Sequence, residues 1–246
     1  MASGAVQRTA EPLGRPPLHT PGPVIGTGRP PWWLLGLAAV VTAAVTADLL
    51  TRGWLERLDL RISEVVSSWN LRHSDGYWLV WVFTQAGGRG FILLVLAGLV
   101  GWLWWRERTL LPLARVVLAL ALLTGVVYAF KWGMGRTAPA YPGSFFHRDG
   151  ASYPSGHVAN AVLMWGVARW QVVQFGLPDR VQRLAWLLSL LGPVATGVAM
   201  VTLDFHWFTD AVVGATVGLL LLGVVHLLDA AVLSRWGRAR AGRRQA

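Results

Sequence analysis

His206 and Asp210 have the residue types and the spacing of a catalytic pair. A separation of four residues places both side chains on one face of a helix. A carboxylate bonded to one imidazole nitrogen fixes the tautomer and leaves the other nitrogen a better nucleophile. The same pattern also fits a histidine at a helix start beside an aspartate that caps the helix. The pair alone leaves both interpretations open.

A second group, Pro154-Ser155-Gly156-His157, directly precedes a long apolar run. Pro and Ser are ordinary helix-start residues. Gly156 and His157 add chemistry, because free N–H groups at a helix N-terminus bind anions and glycine lets a phosphate approach the backbone. A histidine beside that anion could donate a proton to a leaving oxygen. A structural helix start and an anion site are equally open at this point.

Lys131 and Arg136 form a third group, at the end of another apolar run. Cations at such positions commonly anchor a helix at the membrane surface. Lys131 is, however, the single lysine among 22 Lys and Arg residues, which favours a role specific to its position. Gly133, Gly135 and Pro139 would allow the backbone to place both cations around one oxyanion.

The three groups together suit phosphoryl transfer, since they combine two histidines, an aspartate, a glycine at a helix start and two cations. No cluster has the ligand count of a zinc site, and acidic residues are too few for a pair of Mg²⁺ ions. The cations would instead neutralise the charge that develops on the phosphoryl group. The sequence therefore predicts neither a metal nor another cofactor.

The elements that must position these groups are membrane helices. Hydrophobic residues make up 54% of the 246-residue chain and charged residues 14%, against about 25% charged in a soluble domain. Apolar runs of roughly 18 residues or more can span a bilayer. We therefore predict an all-α polytopic membrane fold with about six transmembrane helices. The six runs are 32–50, 91–105 (extended backwards by 77–90), 110–130, 157–175, 184–203 and 210–228.

The arginines indicate the orientation of the chain in the membrane. With six spans, four groups of basic residues fall on one side, which the positive-inside rule makes cytoplasmic. Both termini are then cytoplasmic, and the three chemical groups lie at span ends on the extracytoplasmic face. The net charge of +10 is not concentrated in one patch, so we predict no nucleic-acid partner. The C-terminal arginines are expected to contact anionic membrane lipids.

Composition also predicts the domain organisation. Residues 1–31 are rich in proline and are expected to form a disordered cytoplasmic tail. Residues 32–233 form the membrane domain, and residues 234–246 form a basic cytoplasmic tail. The segment that begins at Leu55, "LERLDLRISEVVSSW", is expected to lie as an amphipathic helix on the outer surface. A Gly-Gly-Arg-Gly break at 87–90 predicts a short segment entering from outside, followed by the second span.

The motifs "KWGMGRTAP", "PSGH" and "HWFTD", in this order across six spans, resemble the type-2 phosphatidic acid phosphatase (PAP2) superfamily of membrane lipid phosphatases. The likeness covers residues 40–228, approximately. It implies that His206 attacks phosphorus to form a phosphohistidine, that Asp210 orients it and that His157 protonates the leaving group. Water then hydrolyses the intermediate without a metal. The residues that would hold the phosphate are Lys131, Ser155 and Gly156.

Two arginines of the family pattern are absent from this chain. Ala138 precedes Pro139 where the first motif has Arg-Pro, and Ala199-Met200 replaces the Ser-Arg of the third motif. We expect other arginines to supply the lost charge. Arg136 is the predicted replacement as a phosphate ligand, Arg148 an auxiliary one, and Arg89 in the glycine-rich break a weaker candidate.

The resemblance implies a lipid phosphatase of the cytoplasmic membrane whose active site faces outward. Polyprenyl diphosphates or monophosphates, such as undecaprenyl diphosphate, are the expected substrates, followed by phosphatidate-like lipids. The missing arginines favour an alternative, a catalytically weakened member that binds a phospholipid or assists a partner enzyme. The related vanadium haloperoxidases share the phosphate pocket, but the lipid-embedded architecture disfavours that reading.

Overall fold

A computed structural model describes residues 28–141 and 145–233, and every regular element within those residues is helical. The prediction of an all-α fold is confirmed. A 3₁₀ turn, Leu71–His73, joins α2 to α3, and a π-helical turn, Asp229–Leu233, follows α8. The predicted tails 1–31 and 234–246 lie outside the described residues, apart from residues 28–31. The helices are α1 Trp32–Leu50, α2 Trp54–Ser68, α3 Gly76–Thr84, α4 Arg89–Glu107, α5 Leu111–Met134, α6 Gly156–Gln174, α7 Asp179–Thr202 and α8 Phe208–Leu228.

Five helices within the described residues are long and apolar enough to cross a membrane: α1, α4, α5, α7 and α8 with its π-helical extension. The chain is therefore a multi-pass membrane protein. The sixth predicted span, 157–175, is present as α6, which carries the polar residues Asn160 and Gln171. Both side chains are buried, because α6 packs against α4, α5, α7 and α8. A helix surrounded by protein needs less apolar character than one that faces lipid.

Close packing of α6 against α8 brings the first turns of the two helices together. A Cβ atom on Gly214 would lie 2.6 Å from the Ser155 carbonyl oxygen, and one on Gly218 would lie 2.6 Å from the Ala159 carbonyl oxygen. Small residues at such positions allow two membrane helices to approach each other closely. The Pro-Ser-Gly-His group at the start of α6 therefore lies beside the start of α8.

The predicted amphipathic helix is confirmed as α2, and one of its polar residues is buried. Asp59 is only 1% exposed. Charged residues are almost never buried to this extent unless they have a partner of opposite charge. Further along α2, Ser63 and Ser67 donate hydrogen bonds of 3.2 and 2.8 Å to the carboxylate of Asp204, in the turn between α7 and α8. The helix α2 is thus joined to the segment that carries His206.

The glycine-rich break lies between α3 and α4 and packs on the first turns of α6. The Asn160 amide donates a 2.9 Å hydrogen bond to the Gly87 carbonyl, and the Trp165 indole donates a 2.8 Å bond to the Ala86 carbonyl. A Cβ atom on Gly87 would lie 2.5 Å from the His157 carbonyl oxygen, so only glycine permits this approach. The non-helical backbone is therefore covered by protein, as the membrane requires.

Candidate active site

His206 lies in the short turn between α7 and α8. Helix α7 ends at Thr202, and the backbone N–H groups of Phe205 and His206 donate to the Met200 carbonyl over 3.0 and 3.2 Å. Helix α8 begins at Phe208, so His206 precedes the helix and does not share it with Asp210. The prediction that both residues lie on one helical face is wrong in this respect. The tight turn nevertheless brings the two side chains into contact.

Asp210 is fully buried and serves as both the helix cap and the partner of His206. Its Oδ2 accepts a 3.2 Å hydrogen bond from the Trp207 backbone N–H and lies 3.4 Å from His206 Nδ1. The two interpretations left open by the sequence therefore hold together. Ser152 Oγ donates to the same carboxylate oxygen and lies 3.1 Å from His206 Nδ1, so it bridges the pair.

A cavity of about 430 Å³ opens beside this pair. Lys131 at the end of α5, His157 in the first turn of α6 and His206 all line it. The structure thus brings together three residues that the sequence separates by up to 75 positions, with Asp210 directly behind His206. The remaining lining residues belong mostly to the loop after α5: Thr137, Ala138, Tyr141, His147, Asp149, Gly150, Ala151 and Ser152, with Phe205.

Backbone hydrogen bonds fold this loop into a wall. His147 N–H donates to the Gly135 carbonyl over 2.8 Å, and Ser152 N–H donates to the Arg136 carbonyl over 2.8 Å. Gly135 has φ = +58°, and a Cβ there would lie 2.8 Å from the His147 carbonyl, so the turn requires glycine. The Lys131 ammonium donates a hydrogen bond to the Ala151 carbonyl, which holds it at the wall of the cavity.

Ser155 and Gly156 begin α6 behind His157. The Ser155 N–H donates a 2.9 Å hydrogen bond to the backbone carbonyl of Asp210, and its Oγ accepts a 3.5 Å bond from Val158 N–H. Ser155 is fully buried and Gly156 half-buried, and neither is among the residues that line the cavity. In this structure Ser155 fixes the position of His157 relative to α8.

Arg136 does not lie at the cavity, contrary to the prediction that it replaces a phosphate-binding arginine. Its side chain is 0% exposed. Its two terminal nitrogens donate to Asp210 Oδ1 over 2.7 Å and to Asp59 Oδ2 over 2.6 Å, with Thr209 Oγ1 also 2.7 Å away. The carboxylates attract the guanidinium away from the cavity, so Arg136 occupies the layer beneath the His206–Asp210 pair.

Two other arginines remain near the cavity. Arg148 is exposed on the loop wall, between the lining residues His147 and Asp149. Arg89 is exposed at the first position of α4, two residues after Gly87, which contacts the His157 backbone. The Arg89 guanidinium is close enough to Lys131 and His157 to repel the charged forms of both.

Sequence reasoning missed Asp59, Ser152 and Thr209. Asp59 carried a signal, since it follows Leu55 by four residues and precedes Val66 by seven, within the apolar stripe of α2. A charged residue in such a stripe indicates a buried partner. Asp59 accepts hydrogen bonds from Thr209 N–H at 3.0 Å and Thr209 Oγ at 2.5 Å.

Burial shifts the pKa values of the Asp59 carboxyl and the Tyr153 phenol, which both lie near the pair. Burial raises the pKa of the Asp59 carboxyl above its ordinary value, although Arg136 and the hydrogen bonds from Thr209 oppose that shift. Burial also raises the pKa of the Tyr153 phenol to about 12, and its hydroxyl lies 2.6 Å from Thr46 Oγ1 on α1. The phenol is therefore protonated at neutral pH.

Comparison with known proteins supports this fold. The chain is similar to the crystal structure of a transmembrane PAP2 type phosphatidylglycerolphosphate phosphatase from Bacillus subtilis, with a TM-score of 0.65 and 20% sequence identity. The likeness covers 82% of this chain and 96% of that one. A comparison with curated proteins gave no match. Residues 112–232, which hold Lys131, the Pro-Ser-Gly-His group and the His206–Asp210 pair, match the PAP2 superfamily. The family match thus covers the part of the chain that holds the candidate site, and the shared fold extends over most of the chain.

Proposed function

We propose that this protein is a membrane lipid phosphatase that works through a phosphohistidine intermediate. One observation carries the proposal: His206, His157 and Lys131 converge on one cavity, and Asp210 contacts His206 from behind. This arrangement provides a nucleophile, a proton donor, a cation and an orienting carboxylate within one site. It is the set of groups that phosphoryl transfer through an enzyme-bound intermediate needs.

In the first step, His206 attacks the phosphorus atom. The Asp210 carboxylate and the Ser152 hydroxyl oxygen both face His206 Nδ1 and can accept its proton. They therefore favour the tautomer with its proton on Nδ1 and a lone pair on Nε2. As the N–P bond forms, the bond from phosphorus to the lipid oxygen breaks. His157 donates a proton to that oxygen, so the lipid leaves as an alcohol, or as a monophosphate if the substrate is a diphosphate.

In the second step, water replaces the histidine. His157, now neutral, accepts a proton from the water as its oxygen bonds to phosphorus, and the N–P bond breaks. Inorganic phosphate leaves, and both histidines return to their starting states. The same imidazole thus acts first as an acid and then as a base, as microscopic reversibility requires.

The charge of the phosphoryl group must be met by cations at the cavity. Lys131 is held at the wall by Ala151, and Arg89 is near enough to act on Lys131 and His157. Arg148 on the exposed loop adds an auxiliary charge. The reaction is proposed to need no metal, because these cations neutralise developing negative charge in the way a metal ion otherwise would.

An apolar groove supports a lipid as the substrate. It has a volume of about 410 Å³ and lies between α6, α7 and α8, where Pro193 and Gly197 line the α7 side. Val158, Phe208 and Ala211 also line it, and each is one or two residues from a member of the active site. A hydrocarbon chain in this groove would place its phosphate headgroup at the cavity. Burial of each CH₂ group contributes about 0.8 kcal/mol to binding.

The proposed substrate class and the proposed orientation rest on the sequence alone. We propose that both termini are cytoplasmic and that the cavity opens at the extracytoplasmic face of the cytoplasmic membrane. Polyprenyl diphosphates and phosphatidate-like lipids are the substrate classes to test first. Reporter fusions at residue 145 should behave as exported, and fusions at residues 107, 180 and 246 as cytoplasmic. An odd number of spans would contradict this orientation.

The burial of Arg136 favours one second candidate, a phospholipid-binding protein with little or no turnover. This arginine is bonded to two carboxylates and adds no cation to the cavity. With fewer cations in the cavity, the negative charge that develops in the transition state is stabilised less. Turnover would then fall more than binding of the lipid phosphate does. The two functions are separated by a measurement of turnover.

The test is phosphate release by purified protein from a panel of lipid phosphates in detergent, with and without EDTA. We expect release from at least one lipid phosphate, no effect of EDTA, and much slower release from a short-chain, water-soluble phosphomonoester. Rapid quenching of the wild type should trap acid-labile, base-stable phosphate on the protein. Tight binding of a lipid phosphate without release would support the second candidate, and a burst of phosphate on a serine would contradict the mechanism.

A further inference from the structure

The helix α2 reaches the catalytic pair through a chain of buried charges. Asp59 Oδ2 accepts a 2.6 Å hydrogen bond from Arg136, and Arg136 donates a 2.7 Å bond to Asp210 Oδ1. The other oxygen of Asp210 contacts Ser152 and His206. A residue on an amphipathic helix is thereby linked to the proposed nucleophile by three consecutive contacts.

These contacts are closed to water. The side chains of Asp59, Arg136 and Asp210 are each 0% exposed. The aromatic rings of Phe145 and Trp207 stack on each other with centroids 4.6 Å apart, and the Arg136 guanidinium lies 5.6 and 5.4 Å from them. Charges act strongly on one another where water does not screen them. The guanidinium also keeps two neighbouring carboxylates from repelling each other.

We infer that Asp59 and Arg136 are positioning residues that set the orientation and the charge presented to His206 by Asp210. With Asp59 and Asp210 ionised, the three side chains carry a net charge of −1, which a protonated His206 would balance. Neither Asp59 nor Arg136 is among the residues that line the cavity, so neither contacts substrate. The inference rests on the proposed function, in which His206 is the nucleophile.

A simpler role for Asp59 must be distinguished from this one. Asp59 Oδ1 accepts a 3.0 Å hydrogen bond from Thr209 N–H, so it also caps the N-terminus of α8. A capping role alone predicts that its removal weakens the fold at the start of α8. It predicts no change in the pH dependence of turnover, because a neutral Asn is also a good cap.

The charge balance provides the distinguishing test. Asp59→Asn changes the net charge of the three side chains from −1 to 0, Arg136→Gln changes it to −2, and the double variant restores −1. A more positive cluster disfavours protonation of His206, which must be neutral to attack, and a more negative cluster favours it. The acid limb of the kcat/KM profile should therefore move to lower pH in Asp59→Asn and to higher pH in Arg136→Gln.

Other titratable groups around the pair stay constant in all of these variants. They come from α4, α5, α6 and the loop after α5, and their contributions cancel when variants are compared with the wild type. They are Arg89, Lys131, His147, Arg148, Asp149, Tyr153 and His157.

The experiment measures kcat and kcat/KM from about pH 5 to 9 on the best lipid phosphate. We expect kcat to fall on the order of 10-fold in Asp59→Asn and 100-fold in Arg136→Gln, with KM within about threefold of wild type, since no phosphate contact is lost. The acid limbs should move in opposite directions, and the double variant should return the limb to the wild-type position. Glu64→Gln is the matched control, because Glu64 is exposed on the same helix.

Acid limbs that stay in place, or that move in the same direction in both single variants, would overturn the inference. A normal thermal midpoint in detergent confirms that each variant is folded. Where Arg136→Gln alone fails to fold, the step from Asp59→Asn to the double variant removes the same positive charge, so it should move the acid limb back to higher pH. Arg136→Lys keeps the charge and should leave the limb in place. A wild type without phosphatase activity would contradict the proposed function instead, so the two failures are distinguishable.

Discussion

A buried arginine–aspartate pair lies at each end of the described bundle, and the two pairs have different neighbours. At the cavity end, Arg136 bonds Asp210, which contacts His206. At the opposite end, Arg115 bonds Asp229 through two hydrogen bonds of 2.9 Å, in a bidentate arrangement. The same two residue types therefore occur once beside an open cavity and once inside a packed contact between α5 and the end of α8.

The surroundings decide what each pair can do. The Arg115 guanidinium lies 4.1 Å from the centroid of the Trp170 ring, and Trp170 packs against His226 with ring centroids 3.7 Å apart. All of these side chains are buried, so the pair contributes to packing and to the register of α5 against α8. His206 instead lines a cavity of about 430 Å³, so a carboxylate behind it can change its reactivity toward a bound molecule. Burial of a charged pair alone does not indicate catalysis.

Replacement of His206 and of His226 should give the largest difference in phosphate release. His206→Ala should lower phosphate release on the order of 10⁴-fold or more, because the nucleophile is lost. His226→Ala removes a ring that packs against Trp170, so it should lower the thermal midpoint while turnover per folded molecule stays within about twofold of wild type. Phosphate release and thermal unfolding of both variants check this contrast. Persistent release in His206→Ala would contradict the proposed mechanism.

The two aspartates should separate catalysis from stability. Asp210→Asn should lower kcat on the order of 10³-fold, since an amide favours the wrong tautomer of His206. Asp229→Asn leaves the Arg115 charge without its ionic partner and should lower the free energy of unfolding by about 3–5 kcal/mol. Turnover per folded molecule should then be normal. Equal losses of activity in the two variants would show that the cavity beside Asp210 does not distinguish its role from that of Asp229.

Because Arg136 is buried, other cations near the cavity must bind the phosphate, and substitution of those cations tests this. With Arg136 bonded to carboxylates, the exposed Arg89 is expected to meet the phosphate, so Arg89→Gln should raise KM about 10-fold, or roughly 1.4 kcal/mol. Arg148→Gln should raise it about two- to threefold, because an exposed loop charge is screened. Arg106→Gln is the matched control, since Arg106 lies at the other end of the same helix. An unchanged KM in Arg89→Gln would exclude Arg89 as a phosphate ligand.

The sequence predicted the positions of the helices and the contact between His206 and Asp210. Apolar runs determine where membrane helices lie, and α1 matches its predicted bounds of 32–50. The chemical groups at span ends were also identifiable, because histidine and aspartate are costly near lipid and therefore indicate function. These features depend only on residues that are neighbours in the sequence, so they can be predicted without the tertiary structure.

The role of Arg136 was not predictable in the same way. Its partner Asp59 is 77 residues away, and a guanidinium beside a predicted phosphate site was assigned to the phosphate. The family pattern reinforced that error, since it implied a missing cation near Ala138. The position of the Arg136 side chain depends on a tertiary contact between α2 and the loop after α5. A charge inside the apolar stripe of α2 was the one local indication of that contact.

The smallest expected effect concerns Tyr153, which lies next to the cavity but donates no group to the reaction. Its hydroxyl lies 2.6 Å from Thr46 Oγ1, and its ring packs on Phe130. Tyr153→Phe keeps the ring and loses one hydrogen bond, so the free energy of unfolding should fall by about 1 kcal/mol with kcat nearly unchanged. Tyr128→Phe is the control, because Tyr128 is 42% exposed.

The pH dependence of stability gives a sharper test of the same residue. The pKa of Tyr153 is raised to about 12 in the folded protein, against about 10 when unfolded. The folded state then holds the phenolic proton more tightly, so the stability it contributes is complete below pH 10 and is lost as the pH rises towards 12. Thermal unfolding in detergent between these pH values should show a smaller alkaline loss in Tyr153→Phe than in the wild type or Tyr128→Phe. Equal alkaline losses in all three proteins would contradict the buried environment of the phenol. They would also show that the loop wall of the cavity admits water, unlike the sealed contact around Arg115.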